Sequence, residues 1–159
     1  MSASQRKSSA ISKSWADRHA ASLALVRWAG DEHGGQLAMT SAFGLNGVAL
    51  IHLVYAEAGL RVPVLFVNTG MMFDETLATR DRVVDRYDLN FFEVEPVGDL
   101  PVPPMPDCCE RRKIEPMRRL LDHYRPAVLL TGRGRFQAVP RRALPLVEWR
   151  ERPIRVNPL

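Results

Sequence analysis

The sequence predicts an α/β fold in which a mainly parallel sheet is covered by helices on both faces. Three observations lead there. Short apolar, β-branched runs recur along the chain, and a single segment with helical spacing separates each from the next. Strands alternating with single helices form β-α-β units, which lay strands parallel. Finally, 159 residues with 46% apolar and 25% charged side chains suffice for one hydrophobic core. Disordered, collagen-like and mucin-like chains are excluded, and two cysteines cannot staple a chain of this size.

Residues 1–13 are expected to form a flexible polar lead-in, and 14–159 a single domain. Ser14 with Asp17 has the character of a capping box, and Trp15, Leu23 and Val26 share a face of a helix running to about Trp28. Gly30, Gly34 and Gly35 are expected to end it. Gln36 to Phe43 reads as a buried strand, Gly44 to Gly47 as a tight connection, and Val48, Ile51, Tyr55 and Ala58 as a second helix. Pro63 to Asn68 (PVLFVN) is the clearest strand, opened by Pro and closed by Thr69-Gly70. Phe73, Leu77, Val84 and Tyr87 mark a third helix, and Asn90 to Val94 a further strand.

The five prolines between Glu95 and Asp107 define a loop. A fourth helix runs from about Cys108 to Tyr124, kinked or restarted at Pro116. Ala127 to Thr131 is another buried strand, and two short extended pieces surround Leu146 and Ile154.

The formal charge is +4, which suits a small anionic ligand as well as nucleic acid. Arg111, Arg112, Lys113, Arg118, Arg119, Arg133, Arg135, Arg141 and Arg142 cluster in the C-terminal half, either as a solvated basic face or as an anion site. No apolar run approaches a bilayer span, and no hydrophobic stretch follows the basic N-terminus. A cytoplasmic protein with reduced thiols and no membrane partner is expected.

Four segments carry candidate chemistry. Thr40 to Gly47 joins a strand to a helix, and its small residues Ser41, Gly44 and Gly47 would let an anion approach the backbone. An ordinary βα turn has the same composition. Asn68-Thr69-Gly70 ends a neighbouring strand, a place for a ribose or base, although Asn and Gly punctuate many strand ends. Cys108-Cys109 stand before Arg111, Arg112 and Lys113, a setting that favours thiolate and hence metal ligation or redox chemistry. As neighbours they make a poor disulfide, and two buried, unreactive thiols are the plain alternative. Thr131 to Arg142 brings guanidinium groups to a strand end, where they can grip an anion bidentately. The tract lacks the interleaved aromatics of single-strand nucleic-acid binders, so nucleic acid is not expected.

In this order, SAFGLNG, PVLFVNTG, DCCERRKIEPMRRLL and LLTGRGRFQAVPRRALPLVEW leading to RVNPL resemble the adenylyl-sulfate and phosphoadenylyl-sulfate reductases of sulfate assimilation. The similarity covers roughly 25–159. It implies a Rossmann-like fold of the adenine-nucleotide α-hydrolase type, related to the PP-loop enzymes. It also implies thioredoxin-dependent reduction of adenylyl sulfate or phosphoadenylyl sulfate to sulfite and adenine nucleotide. By the same resemblance Ser41, Phe43, Gly44, Thr69, Gly70, Lys113, Arg135, Gln137 and Arg141 surround the substrate. Cys108 and Cys109 match the first ligand pair of a [4Fe-4S] cluster. In the family a second cysteine pair and the nucleophilic cysteine follow the N-P-L matched by Asn157-Pro158-Leu159, so the chain is expected to lack that segment. A catalytically inactive adenine-nucleotide or phosphosulfate binder is the alternative. Asn68 stands where the family usually has an aspartate, and Arg133-Gly134-Arg135 where it has paired arginines after T-G-hydrophobic.

Overall fold

The computed structural model describes residues 14–101, 104–149 and 152–159, so the lead-in expected over 1–13 lies outside the described residues. Six strands, β1 (Leu37–Thr40), β2 (Val64–Val67), β3 (Phe91–Val94), β4 (Val128–Thr131), β5 (Val147–Glu148) and β6 (Ile154–Val156), form one sheet in the order β3-β2-β1-β4-β6-β5. All pairings are parallel except β5 with β6. Among the described residues four α-helices cover it: α1 (Trp15–His33), α2 (Leu45–Ile51), α3 (Asp74–Tyr87) and α4 (Glu115–Tyr124). The expected α/β architecture is the observed one.

The strand residues divide by period two between the faces. Leu37 and Met39, Val64 and Phe66, and Val128 and Leu130 pack with Val26 and Ala29 of α1, Leu50 and Ile51 of α2 and Val83 of α3. Ala38, Leu65 and Leu129 turn the other way, onto Leu120 of α4. Burying one such aliphatic side chain contributes about 1.5–3 kcal/mol, so both faces hold the sheet.

Ser14 caps α1 as expected, its hydroxyl accepting from the Asp17 N–H and its own N–H donating to the Asp17 carboxylate. The helix runs past Trp28 to His33, and Gly30 does not end it. A Cβ at Gly30 would stand 2.7 Å from Leu60 Cδ1, so this glycine serves packing. The first strand stops at Thr40, short of Phe43, because the chain turns there for the loop described below. Helix α2 continues as a π-helical turn, His52–Glu57, and another, Glu110–Ile114, precedes α4. Pro116 lies in the first turn of α4, where its missing N–H is tolerated, so the chain passes through it without a kink being required.

Candidate functional site

From β1 the chain builds outward through β2 and β3, then crosses back to place β4 on the other side of β1. The order reverses between β1 and β4, and ligands of open α/β sheets bind outside the carboxyl ends of the strands at such a point. Two loops meet there. Phe43 takes a left-handed backbone (φ 55), rare for a bulky residue, and its N–H donates to the buried Ser41 Oγ at 3.0 Å. Its ring packs beneath the loop on Phe66 and Phe91, with centroids 5.3 and 5.8 Å away. From the β4 side, the Gly132 carbonyl accepts from Asn46 Nδ2 at 3.2 Å. A Cβ at Gly47 would lie 2.5 Å from Ser41 Oγ, so a side chain there would displace the hydroxyl that accepts from Phe43.

Above these loops a cavity of about 1360 Å³ opens between the sheet edge and α4. Ser41, Ala42, Gly44 and Gly47 form its floor, with Thr69 and Met72 from beyond β2; Ile114, Met117 and Leu121 give an apolar wall. Lys113, Arg118, Arg133, Arg141 and Arg155 also line it, and among the described residues no carboxylate does. Arg118 pairs with Glu110 at 3.1 Å, and Arg133 with Glu148. The lining is suited to a partly apolar ligand carrying negative charge.

Of the residues expected around a substrate, Ser41, Gly44, Thr69, Lys113, Gln137 and Arg141 line this cavity. Phe43 and Gly70 do not: Phe43 supports the loop from below, and Gly70 (φ 71) turns the chain after β2 with its N–H on Asn68 Oδ1. Arg135 is also placed elsewhere, exposed, with its Nε donating to the Leu144 carbonyl at 2.8 Å. Arg133, two residues earlier, takes the place at the cavity that Arg135 was expected to fill. Arg118 and Arg155 are additions. The alternation Ile154-Arg155-Val156, with both neighbours buried, was the signal that Arg155 faces the opposite side of β6.

Cys108 and Cys109 are free thiols, one half-buried and one exposed, and neither lines the cavity. Among the described residues no three His, Cys, Asp or Glu side chains gather as a metal site. These residues therefore supply two thiols where a four-iron cluster takes four, and they do not complete such a site by themselves. The following Arg112 is buried, its guanidinium donating to the carbonyls of Thr69 (2.7 Å), Leu100 and Pro101 (both 3.0 Å). It ties the segment after the cysteines to the loop that ends β2.

This is a Rossmann-like α/β protein with a cation-lined crevice at its switch point. The family model described as "Phosphoadenosine phosphosulfate reductase domain" matches residues 36–159, and the chain belongs to that family. An adenosine 5'-phosphosulfate reductase of Deinococcus radiodurans is 45% identical over 145 residues, covering 85% of this chain and 56% of the relative. The protein of the same name from Mesorhizobium japonicum is 37% identical over 135 residues, covering 78% and 52%. The chain thus spans about half the length of the curated relatives it matches. In fold it is similar to a phosphoadenylyl-sulfate reductase from Candida auris, solved as a phosphate complex, with a TM-score of 0.72 at 22% identity over 94% of this chain and 81% of that one. It is also similar to the FMN adenylyltransferase of Candida glabrata, at a TM-score of 0.65 and 12% identity over 89% and 50%. No helix among the described residues is long and apolar enough to cross a membrane.

Proposed function

We propose that the chain is the substrate-binding part of a cytoplasmic, thioredoxin-dependent reductase that converts adenylyl sulfate, or its 3'-phosphorylated form, to sulfite and adenine nucleotide. The observation that carries this is the cavity at the β1/β4 switch point, lined by cations and, among the described residues, by no carboxylate. In this reading the phosphosulfate lies over Ser41 and Gly44 and is met by Lys113, Gln137 and Arg141, while Thr69 borders the nucleoside. The reaction needs a thiolate to attack the sulfate sulfur. The S–O bond to the nucleotide breaks, the nucleotide leaves with the electron pair, and a thiosulfonate forms. The dithiol of reduced thioredoxin then releases sulfite and becomes a disulfide. Neither cysteine lines the cavity, so the described residues bind, orient and neutralise, and the attacking thiol is supplied from elsewhere. Cys108 and Cys109 are proposed as two ligands of a [4Fe-4S] cluster, with the others from outside the described residues.

The same placement of the cysteines favours a second reading, a nucleotide binder with no reductase activity of its own. Two measurements decide. Calorimetric titration with adenylyl sulfate should give saturable heat that Arg141→Ala weakens; no heat at millimolar ligand removes both readings. Because the attacking thiol comes from elsewhere, the chain alone should release no sulfite. Sulfite release with reduced thioredoxin once a relative's cysteine-bearing C-terminal segment is fused to it supports the enzyme, and binding without release by that fusion supports the binder.

A further inference from the structure

Four side chains at the cavity's edge, two of them lining it, close into a ring. Arg133 Nε donates to Thr131 Oγ1 at 3.3 Å, and Thr131 Oγ1 donates to Asn157 Oδ1 at 2.5 Å. Asn157 Nδ2 donates to Glu148 Oε1 at 2.8 Å, and the same carboxylate oxygen accepts from Arg133 Nη2. Asn157 is 2% exposed and also holds the Pro145 carbonyl with Nδ2 at 3.0 Å, so its amide cannot turn. The ring therefore rests on a fixed point at the ends of β4 and β6. Gly134 lets the loop pass: a Cβ there would meet Asn46 Nδ2 and Phe136 Cε1, both at 2.9 Å.

We propose that this ring presents Arg133 to the cavity as a binding group for the sulfate or phosphate of the ligand, with Glu148 as its positioning residue. The inference rests on the nucleotide-sulfate reading above. A free arginine side chain samples many rotamers, and fixing it costs entropy on binding. Here that ordering is complete before a ligand arrives. The ring occupies Nε and Nη2, while Nη1 has no partner among the described residues, and Arg133 lines the cavity. The guanidinium is planar, so fixing two of its nitrogens also fixes the direction of the third. Because Glu148 balances the charge, Arg133 contributes a directed donor more than a net positive field. Position matters more than charge, and this makes the carboxylate behind it consequential.

The test compares AMP with adenosine, read by ligand-observed NMR titration so that millimolar affinities are measurable, on wild type, Arg133→Met, Glu148→Ala and Glu148→Gln. Thermal melts accompany each variant. Arg133→Met should weaken AMP about tenfold or more, the scale of one charge-assisted hydrogen bond, and leave adenosine within about twofold. Glu148→Ala should weaken AMP severalfold, and Glu148→Gln, which keeps an acceptor oxygen, should restore most of that loss. If Glu148→Ala does not fold, Arg133→Met and Glu148→Gln decide alone. Equal losses for AMP and adenosine, or undiminished AMP binding by Arg133→Met, overturn the proposal and leave the nucleotide reading standing. If the wild type binds neither ligand, both fall.

Discussion

Gly132 lies against the backbone of Asn46: a Cβ at position 132 would stand 3.2 Å from the Asn46 carbonyl carbon and oxygen. The loops after β1 and β4 are thereby packed main chain to main chain, and backbone atoms cannot swing aside as a side chain can. Gly132→Ala should cost about 1–3 kcal/mol of stability and should weaken nucleotide binding by displacing the Ser41 loop. Urea denaturation with parallel titration checks this. A variant as stable and as tight as wild type would mean the two loops separate freely.

Asn68 bridges two carboxylates, with Nδ2 at 2.8 Å from Glu93 and 2.9 Å from Glu95, while its Oδ1 accepts from Gly70. Asn68→Asp replaces a donor by a third carboxylate. The three like charges raise carboxyl pKa values in the folded state, so the native form binds more protons than the unfolded one in the carboxylate range. The variant should be about 1–3 kcal/mol less stable at pH 7, and the deficit should shrink as pH falls toward 5. Denaturation at both values is the check; a pH-independent deficit would remove the electrostatic cause.

Tyr55 ties the π-helical turn after α2 to the segments that lead into β2 and β3, its hydroxyl donating to the Val62 carbonyl at 2.5 Å and accepting from the Asn90 N–H at 3.2 Å. Burial raises its pKa above the ordinary value near 10. The unfolded state loses this proton first, so stability falls as pH rises above about 10. Tyr55→Phe should be about 1 kcal/mol less stable at neutral pH and should show a shallower alkaline decline. Thermal melts between pH 7 and 11 would show whether the two curves converge.

Arg112 donates to three backbone carbonyls from a buried position, and no ion pair among the described residues neutralises it. Arg112→Met keeps much of the volume and abandons those acceptors, at an expected cost of about 2–4 kcal/mol. Arg112→Lys should recover only part, since an ammonium cannot span the same fork. Proteolysis near Leu100 should accelerate in the Met variant, and unchanged cleavage would count against the tie.

The two adjacent thiols bear on iron. Anaerobic reconstitution of the chain should yield fewer than four irons per molecule, and Cys108→Ser with Cys109→Ser should abolish what binds. Four irons and four sulfides stably held by a monomer would contradict the ligand inventory described above.

Where a signal was local, the sequence carried it. PVLFV, AVLLT and the Ser14 cap depend on neighbours within a few residues, and the strands and helix start fall there. Glycines were ambiguous, because a helix terminator and a contact with Leu60 require the same missing Cβ at Gly30. At the site, the loop residues and Lys113 were legible from the order of motifs. The choice between Arg133 and Arg135 was not. It is made by Glu148 and Asn157, which reach Thr131 and Arg133 only after the chain has turned back as β5 and β6. No periodicity encodes a partner at that separation.

The pairing of Leu37 with Val128 sets the timetable of folding. Strand β1 waits for β4 before its second edge is covered, while β2 and β3 pair beside it much sooner. A nascent chain released up to Tyr124 would hold β1, β2 and β3 with one edge of β1 open, a surface prone to pairing with other chains. The crevice itself is then among the last parts to exist. Contacts of such sequence separation slow folding, so ligand competence should trail the appearance of helical signal in refolding, by an interval set by how soon β4 docks.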